Sequence, residues 1–497
     1  MIHLNNWVLP FAITVIYTAA TIIIGVLPSR KIDMSKHENW GVSGNTMGTF
    51  LLIFLLGGSE ISAYTFMGAP GWAYEKGVGI LYVSVYLALM QIVGYLVNPR
   101  IVRLSKEKHI MTQPAAFGQR YESRFVQALG CIGGSITMVC YCVVQIVGCG
   151  YIINVMSGDT IPVWLAELLI LIVIFTYVYI SGLASAGWVS IMQGFLMFIV
   201  AIITAAMLCK EFTGSYFWGA TFEKIAELSP AHLTLPGATN DFSPIVWTTS
   251  ILVSVFSIWP SFWIAASGGK SEDDCKKATS LIPIYQLVMI PMMIVGFVCV
   301  FAMEDYTGPV DKVGLTLALN NLPWWVAGLL GAGTLAAAQS SAAPLVQALA
   351  FSWTNDILVP YGIIREERRA KVQRWMLLPI MFLIVFPLSV MNPASLVQLL
   401  LIGYGFLAQI FPLCIGVFAW PRSTKYGAVA GLVIGLIAVA IFSFVIPNPL
   451  GVHAGIWGLI INIPIHIIVS LMTKPESKAT MEIFFTQDII DELYEKA

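Results

Sequence analysis

Charge is scarce in this chain. Only 11% of its 497 residues are Asp, Glu, Lys or Arg, against about a quarter in an ordinary soluble domain. That scarcity excludes a soluble enzyme and a disordered chain. The formal net charge is −1, so no basic field exists for phosphates and no nucleic-acid partner is expected. Paired cysteines are missing too. Of the eight cysteines, no two share an expected outside loop. Cys131, Cys140, Cys142 and Cys149 lie in one apolar run and read as small buried hydrophobes, because the turn residues of a zinc site are absent. The six histidines are scattered without an HExxH pattern. No nucleophile–base pair or metal-ligand cluster supports a membrane enzyme.

What the chain does have is long apolar runs. Hydrophobic residues make up 58% of it, and the mean hydropathy is +0.82. A span needs about 20 predominantly apolar residues. Thirteen runs qualify, at 7–27, 47–72, 78–97, 124–156, 162–181, 186–209, 244–268, 279–303, 323–355, 372–391, 395–419, 426–446 and 453–472. They are numbered spans 1 to 13. Their length and lack of alternation exclude a β-barrel. The first run has no basic leader or small-residue cleavage site, so it reads as a retained span. The expected fold is an all-α polytopic membrane protein of about 13 transmembrane helices.

The charges that remain are sorted. With the N-terminus outside, 22 of the 26 basic residues fall in inside segments, including Arg30, Lys31, the run from Arg100 to Arg124, the cluster Arg365–Arg374 and Lys496. Only Lys76, Lys210, Lys224 and Lys312 fall outside. This is the asymmetry the positive-inside rule requires. It predicts a multi-pass protein of the cell (plasma or inner) membrane, with the N-terminus out and the C-terminus cytoplasmic.

Spans 2–6 and 7–11 form two matching sets of five. Each set opens with a span interrupted by Gly, Ser or Pro, and each has an unusually long third member. An odd number of spans per set inverts the second copy, the layout of secondary transporters with inverted repeats. The division is therefore an N-terminal span and inner loop (1–46), a first five-helix repeat (47–209), an outer loop (210–243), a second repeat (244–419), two C-terminal spans (420–472) and a cytoplasmic tail (473–497). The tail stretch Met481–Tyr494 has helical periodicity and reads as a solvated amphipathic helix.

Chemistry is expected where backbone is broken. Span 2 contains Gly57-Gly58-Ser59-Glu60-Ile61-Ser62. Each glycine weakens a helix by about 1 kcal/mol, and serines satisfy freed backbone groups. Glu60 would cost on the order of 2.5–3.5 kcal/mol on a lone helix, so it needs a cavity, a cation or a proton. In span 9, Ser340, Ser341 and the carbonyl of Ala337 one turn earlier can aim three oxygens at one point.

Three stretches resemble the sodium/solute symporter family, whose members carry proline, sugars, pantothenate or monocarboxylates. They are Gly57–Ser62 followed by Met67-Gly68-Ala69-Pro70-Gly71, then Ala186-Gly187-Trp188 with Met192-Gln193-Gly194, then Ala337 with Ser340 and Ser341 continuing to Thr354-Asn355-Asp356-Ile357. The similarity covers about residues 5–475. It implies a LeuT-like five-plus-five inverted repeat with one N-terminal and two C-terminal spans. It also implies sodium as the ion, with carbonyl ligands at Gly58, Ile61 and Ala337 and hydroxyl ligands at Ser340 and Ser341. The proline carrier has an aspartate where this chain has Glu60. Ser190 stands where many members carry an aspartate.

A solute would sit near the midplane, between broken spans 2 and 7 and flanking spans 4 and 11. The candidates are Ser59, Glu60, Tyr64, Thr65, Tyr141, Gln145, Phe256, Trp259, Pro260, Trp263, Tyr404 and Gln409. No Arg or Lys lies in the middle of any span. The expected function is sodium-coupled symport of a small organic solute, monocarboxylate- or pantothenate-like or an amino acid, by alternating access. Proton coupling through Glu60 stays open at this point, as does a transporter-like solute sensor acting with a separate partner. The oligomeric state is also left open.

Overall fold

The computed structural model describes residues 7–391 and 396–495. Ser395, at the start of span 11, and Lys496 lie outside them. The described residues form helices joined by loops, with a single isolated bridge between Met47 and Gly269. The chain order is α1 (Val8–Val26), α2 (Thr49–Glu60), α3 (Ala69–Lys76), α4 (Tyr82–Lys108), α5 (Gln113–Arg120), α6 (Arg124–Met156) and α7 (Val163–Thr213). It continues with α8 (Pro244–Val255), α9 (Pro260–Ser267), α10 (Glu272–Gln286), α11 (Met289–Ala302) and α12 (Trp324–Trp353). The last elements are α13 (Leu396–Ala408), α14 (Phe411–Phe418), α15 (Lys425–Ala440), α16 (Ala454–Met472), α17 (Lys478–Phe484) and α18 (Gln487–Glu495). Several starts carry side-chain caps. Ser123, Ser243 and Ser271 each accept a backbone N–H from three residues on, as does Thr112.

Nine helical runs among the described residues are long and apolar enough to cross a membrane, or eleven if each of two bent pairs is one span. The thirteen sequence runs differ from this because helix continues where hydropathy dips. Tyr64–Lys108 covers 45 residues and Val163–Thr213 covers 51, both well beyond the ~20 residues a bilayer needs. Within the second, Gly182 turns the chain with φ +54° and ψ −139°. A Cβ there would lie 2.1 Å from the Trp40 carbonyl oxygen. Both the conformation and the space demand glycine. Gly182→Ala is expected to abolish monodisperse protein in size-exclusion chromatography. Gly214→Ala, also at positive φ but with nothing within 4 Å, should cost only about 1–2 kcal/mol.

Burial separates an inner set from a peripheral one. The apolar window of α12 and its continuation to Leu358 is 94% buried, whereas that of α1 is 28% buried. Helix α1 shows why. Pro10, Thr14, Tyr17, Thr21 and Gly25 form one inward stripe, while Val8, Leu9, Ile16 and Ile23 face outward. A helix that is apolar on its exposed face is one solvated by lipid. The chain is a multi-pass membrane protein. All eight cysteines are free.

The tail differs from the expected solvated helix. It folds as α17 and α18 against the basic end of the bundle, with Met481 and Ile490 buried. Fully buried Arg120 organises this dock. Its guanidinium donates to the carbonyls of Gly416 at 2.8 Å and Pro421 at 2.8 Å, and it lies 3.5 Å from Glu476. Glu122 accepts from Thr480 at 2.7 Å.

Candidate cation and solute site

Helix α2 ends at Glu60 because Ile61 leaves helical geometry, with φ −87° and ψ 116°. The chain then re-enters helix through a wide turn at Tyr64–Gly68. The break is held from outside and inside. Gln145 accepts the Ala63 N–H at 2.9 Å, and Thr65 accepts the Ser62 N–H at 3.2 Å. Gly148 lets α6 approach, since a Cβ there would lie 2.4 Å from that of Ala63.

The freed carbonyls meet α12. Ser340 Oγ lies 2.8 Å from Gly58 O, 3.2 Å from Ile61 O and 2.9 Å from Ala337 O. Ser341 Oγ lies 2.9 Å from Ser59 O, 3.3 Å from Ile61 O and 3.5 Å from Ala337 O. All five expected ion ligands therefore converge, and the carbonyl of Ser59 joins them. The two hydroxyls have two protons to donate among four carbonyl oxygens. The cluster is rich in acceptors and poor in donors. Such an arrangement of neutral oxygens suits a hard cation.

Glu60 sits beside this cluster, 8% exposed. Gln91 donates to one carboxylate oxygen at 2.9 Å and Gln286 to the other at 2.5 Å. Neither glutamine was among the candidates. Gln91 carried a sequence signal, as a lone amide inside the apolar run of span 3.

Two cavities meet at Glu60. One, a tight space of about 10 Å³, is walled by Tyr64, Tyr86, Tyr141, Trp259, Phe262, Met289 and Tyr404. The other, of about 50 Å³, includes Trp259 and Trp263 and follows α4 from Met90 past Gly94 and Asn98 to Ile101. It runs toward the basic end of α4. The opposite end is closed by rings in succession. Trp72 and Phe242 lie 5.0 Å apart, Phe242 and Tyr82 5.6 Å, Tyr82 and Tyr86 5.6 Å, Tyr86 and Tyr404 5.4 Å, and Tyr404 and Trp259 5.5 Å. Lys76 pins the Phe242 loop through Asp241 at 2.5 Å. Burial alone would raise the Asp241 carboxyl, but the Lys76 ammonium and the Thr239 hydroxyl outweigh it and hold it below the usual range. Asp311, in the connection between α11 and α12, is pushed up to about 6 by burial, partly offset by the Leu396 N–H it accepts.

Not every candidate reaches these cavities. Tyr141 does, and its hydroxyl points to Ser59 O at 3.4 Å. Pro260 starts α9 and packs on Gly134. The Phe256 ring stacks on Phe411 at 4.8 Å and lines neither cavity. Gln409 is turned toward α16, donating to Gly455 O at 3.0 Å and accepting from Asn462. Ser190 packs against Gly58, 3.4 Å from where its Cβ would be.

The model of the Sodium:solute symporter family matches residues 40–435. The chain belongs to that family. Membership makes it a secondary active symporter. The symporter is 26% identical over 479 residues to "Uncharacterized symporter YhjB" of Bacillus subtilis (strain 168), covering 93% of this chain and 96% of that one. It is 24% identical over 513 residues to the "Sodium/proline symporter" of Staphylococcus aureus (strain USA300 / TCH1516), covering 98% and 97%. In fold it is similar to a Na+-coupled sialic acid symporter solved in a substrate-bound outward-open state. The TM-score is 0.76 at 16% identity, covering 95% of this chain and 99% of the other.

Proposed function

We propose that this symporter couples sodium to the uptake of a small amine-bearing solute, in the first place an amino acid. The single observation that supports sodium is the donor-poor oxygen cluster where the α2 break meets Ala337, Ser340 and Ser341. The amine follows from the cavity lining. Glu60 is the one charged side chain in either lining, and no Lys or Arg is present to meet a lone carboxylate. Aromatic rings favour a cation or zwitterion over a bare anion. A monocarboxylate or pantothenate-like solute would have to be met by hydroxyls and sodium alone.

The thirteen-span, five-plus-five reading also belongs here. Taking α2 with α3 as one broken span, and dividing the long runs at Gly77 and Gly182, raises eleven spans to thirteen. The breaks at 61–63 and 256–259 then open the two repeats, 47–209 and 244–419. The basic ends of α4 and α5 would be cytoplasmic and the N-terminus outside. On that orientation the groove along α4 opens inward while the ring stack from Trp72 to Tyr404 closes the outside.

The cycle is alternating access. Sodium joins α2 to α12 and favours the outward-open form, solute permits closure, and inward opening loosens the oxygen cluster. The ion must bind the two forms differently, or it shifts nothing. One charge moved through 100 mV is worth about 2.3 kcal/mol, roughly a fiftyfold gradient.

The test is uptake into proteoliposomes under separately imposed sodium and proton gradients, over a panel of amino acids, quaternary amines and monocarboxylates. Sodium-driven uptake of an amine-bearing solute is expected. Uptake that follows pH and ignores sodium would replace the coupling ion. Solute-dependent signalling without net flux would replace transport with sensing.

A further inference from the structure

A groove of about 520 Å³ lies at the basic end of α1, apart from both cavities. Its apolar walls include Leu27, Leu51 and Trp188, and Arg30 and Lys31 stand at its mouth. Trp188 comes from the Ala-Gly-Trp stretch that the transport reading leaves unused. Trp188 is 52% exposed and Leu27 45% exposed, so the groove opens toward the surroundings of the bundle. Arg30 and Lys31 are exposed, and neither side chain has a hydrogen bond or ion pair among the described residues. Asp33, the nearest acid in sequence, is turned to Ser35. Thr46 also lines the groove. Its hydroxyl proton goes to Ser43 O at 2.8 Å, leaving its lone pairs to accept from a ligand hydroxyl.

We propose that this groove binds an anionic phospholipid with a hydroxylated headgroup, such as phosphatidylglycerol. An acyl chain lies along Leu27, Leu51 and Trp188, the phosphate is met by Arg30 and Lys31, and a glycerol hydroxyl donates to Thr46. The combination of a lipid-facing apolar cleft, an interfacial tryptophan and two free cations is what an anionic lipid recognises. A soluble phosphate would gain nothing from the apolar walls. The occupant would touch the end of α1, the start of α2 and α7 together. Gly187 brings α7 within 3.3 Å of Leu51 when measured to its ideal Cβ, and α2 with the break that follows it carries half of the cation cluster. Lipid at this point therefore bears on the element that must move during transport.

Trp188 reports occupancy. The full-length protein is reconstituted in phosphatidylcholine, and small fractions of brominated phosphatidylglycerol or brominated phosphatidylcholine are added. Trp188 emission is the difference between wild type and Trp188→Phe. Half-quenching is expected at a phosphatidylglycerol fraction roughly ten- to thirtyfold below that for phosphatidylcholine, the weight of two basic side chains at an anionic lipid. Arg30→Gln/Lys31→Gln should remove the preference, while Lys276→Gln/Lys277→Gln, an equal charge loss elsewhere, should keep it. Equal quenching by both lipids, or a preference that survives Arg30→Gln/Lys31→Gln, overturns the proposal. So does displacement of the lipid by millimolar glycerol phosphate, which would make the ligand a soluble anion.

Discussion

Ser340→Ala and Ser341→Ala are each expected to raise the sodium concentration for half-maximal uptake by about tenfold or more. Each hydroxyl is 2.8–2.9 Å from a carbonyl of the α2 break, Gly58 for one and Ser59 for the other. Removing one takes an oxygen from the cation and a donor from the empty cluster. An interaction with a charged group is worth roughly 1.5–3 kcal/mol, which is a factor of ten to a hundred. Both serines share Ile61 O and Ala337 O. The double variant should therefore fall short of the product of the singles. At saturating sodium, the solute concentration for half-maximal uptake should stay within about threefold, because neither hydroxyl lines the ring-walled cavity. Sodium titrations of uptake in proteoliposomes measure both quantities. An unchanged sodium dependence in both variants would place the ion elsewhere.

Glu60→Gln is expected to reduce uptake by about ten- to a hundredfold even at saturating sodium. The reason is donor crowding as much as lost charge. Gln91 and Gln286 each present an amide N–H to one carboxylate oxygen. A glutamine at 60 offers one oxygen and one NH2, so one donor faces another donor. Losing a charge-assisted bond of this kind costs about 1.5–3 kcal/mol. Glu60→Gln combined with Gln286→Glu restores the count of donors and acceptors and should recover part of the activity. Equal loss in the single and exchanged variants would show that the charge is needed at position 60 itself, for the solute's amine or for a proton, beyond the glutamine clasp. Uptake of Glu60→Gln followed against pH separates these last two. A proton carrier makes wild-type uptake respond to an imposed proton gradient and loses that response on substitution, whereas a solute partner gives no such response in the wild type.

The cation cluster was readable because its signals are local. Gly57, Gly58, Ser59 and Ser62 announce a broken helix within six residues, and adjacent Ser340 and Ser341 place two hydroxyls side by side. Gln91 stood out as a lone amide, but its pairing and that of Gln286 with Glu60 were not readable. Gln91 and Gln286 lie 31 and 226 residues away, and only packing brings both amides to one carboxylate. Phe256 and Gln409 were candidates because span 7 and span 11 flank the site. Nothing in sequence tells which side of a bent helix pair faces inward, and the 43° bend between α13 and α14 leaves Gln409 on α16. The tail shows the same gap. Its periodicity gave a helix, but the face it docks on includes Arg120, which meets Glu476 and Phe485 from more than 350 residues earlier.

The helix most deeply enclosed is also the least apolar of the nine long runs. The window at α12 has a mean hydropathy of 1.2, while those of α6 and α7 reach 2.0 and 2.4. Its glycines, alanines and serines suit contact with other helices and not with acyl chains. This has a consequence for biosynthesis. At the translocon α12 enters lipid weakly on its own, after α6 and α7 have already been inserted. Those two helices offer it a small-residue surface to pack on, so membrane integration and assembly of the cation cluster become one event at this point in translation.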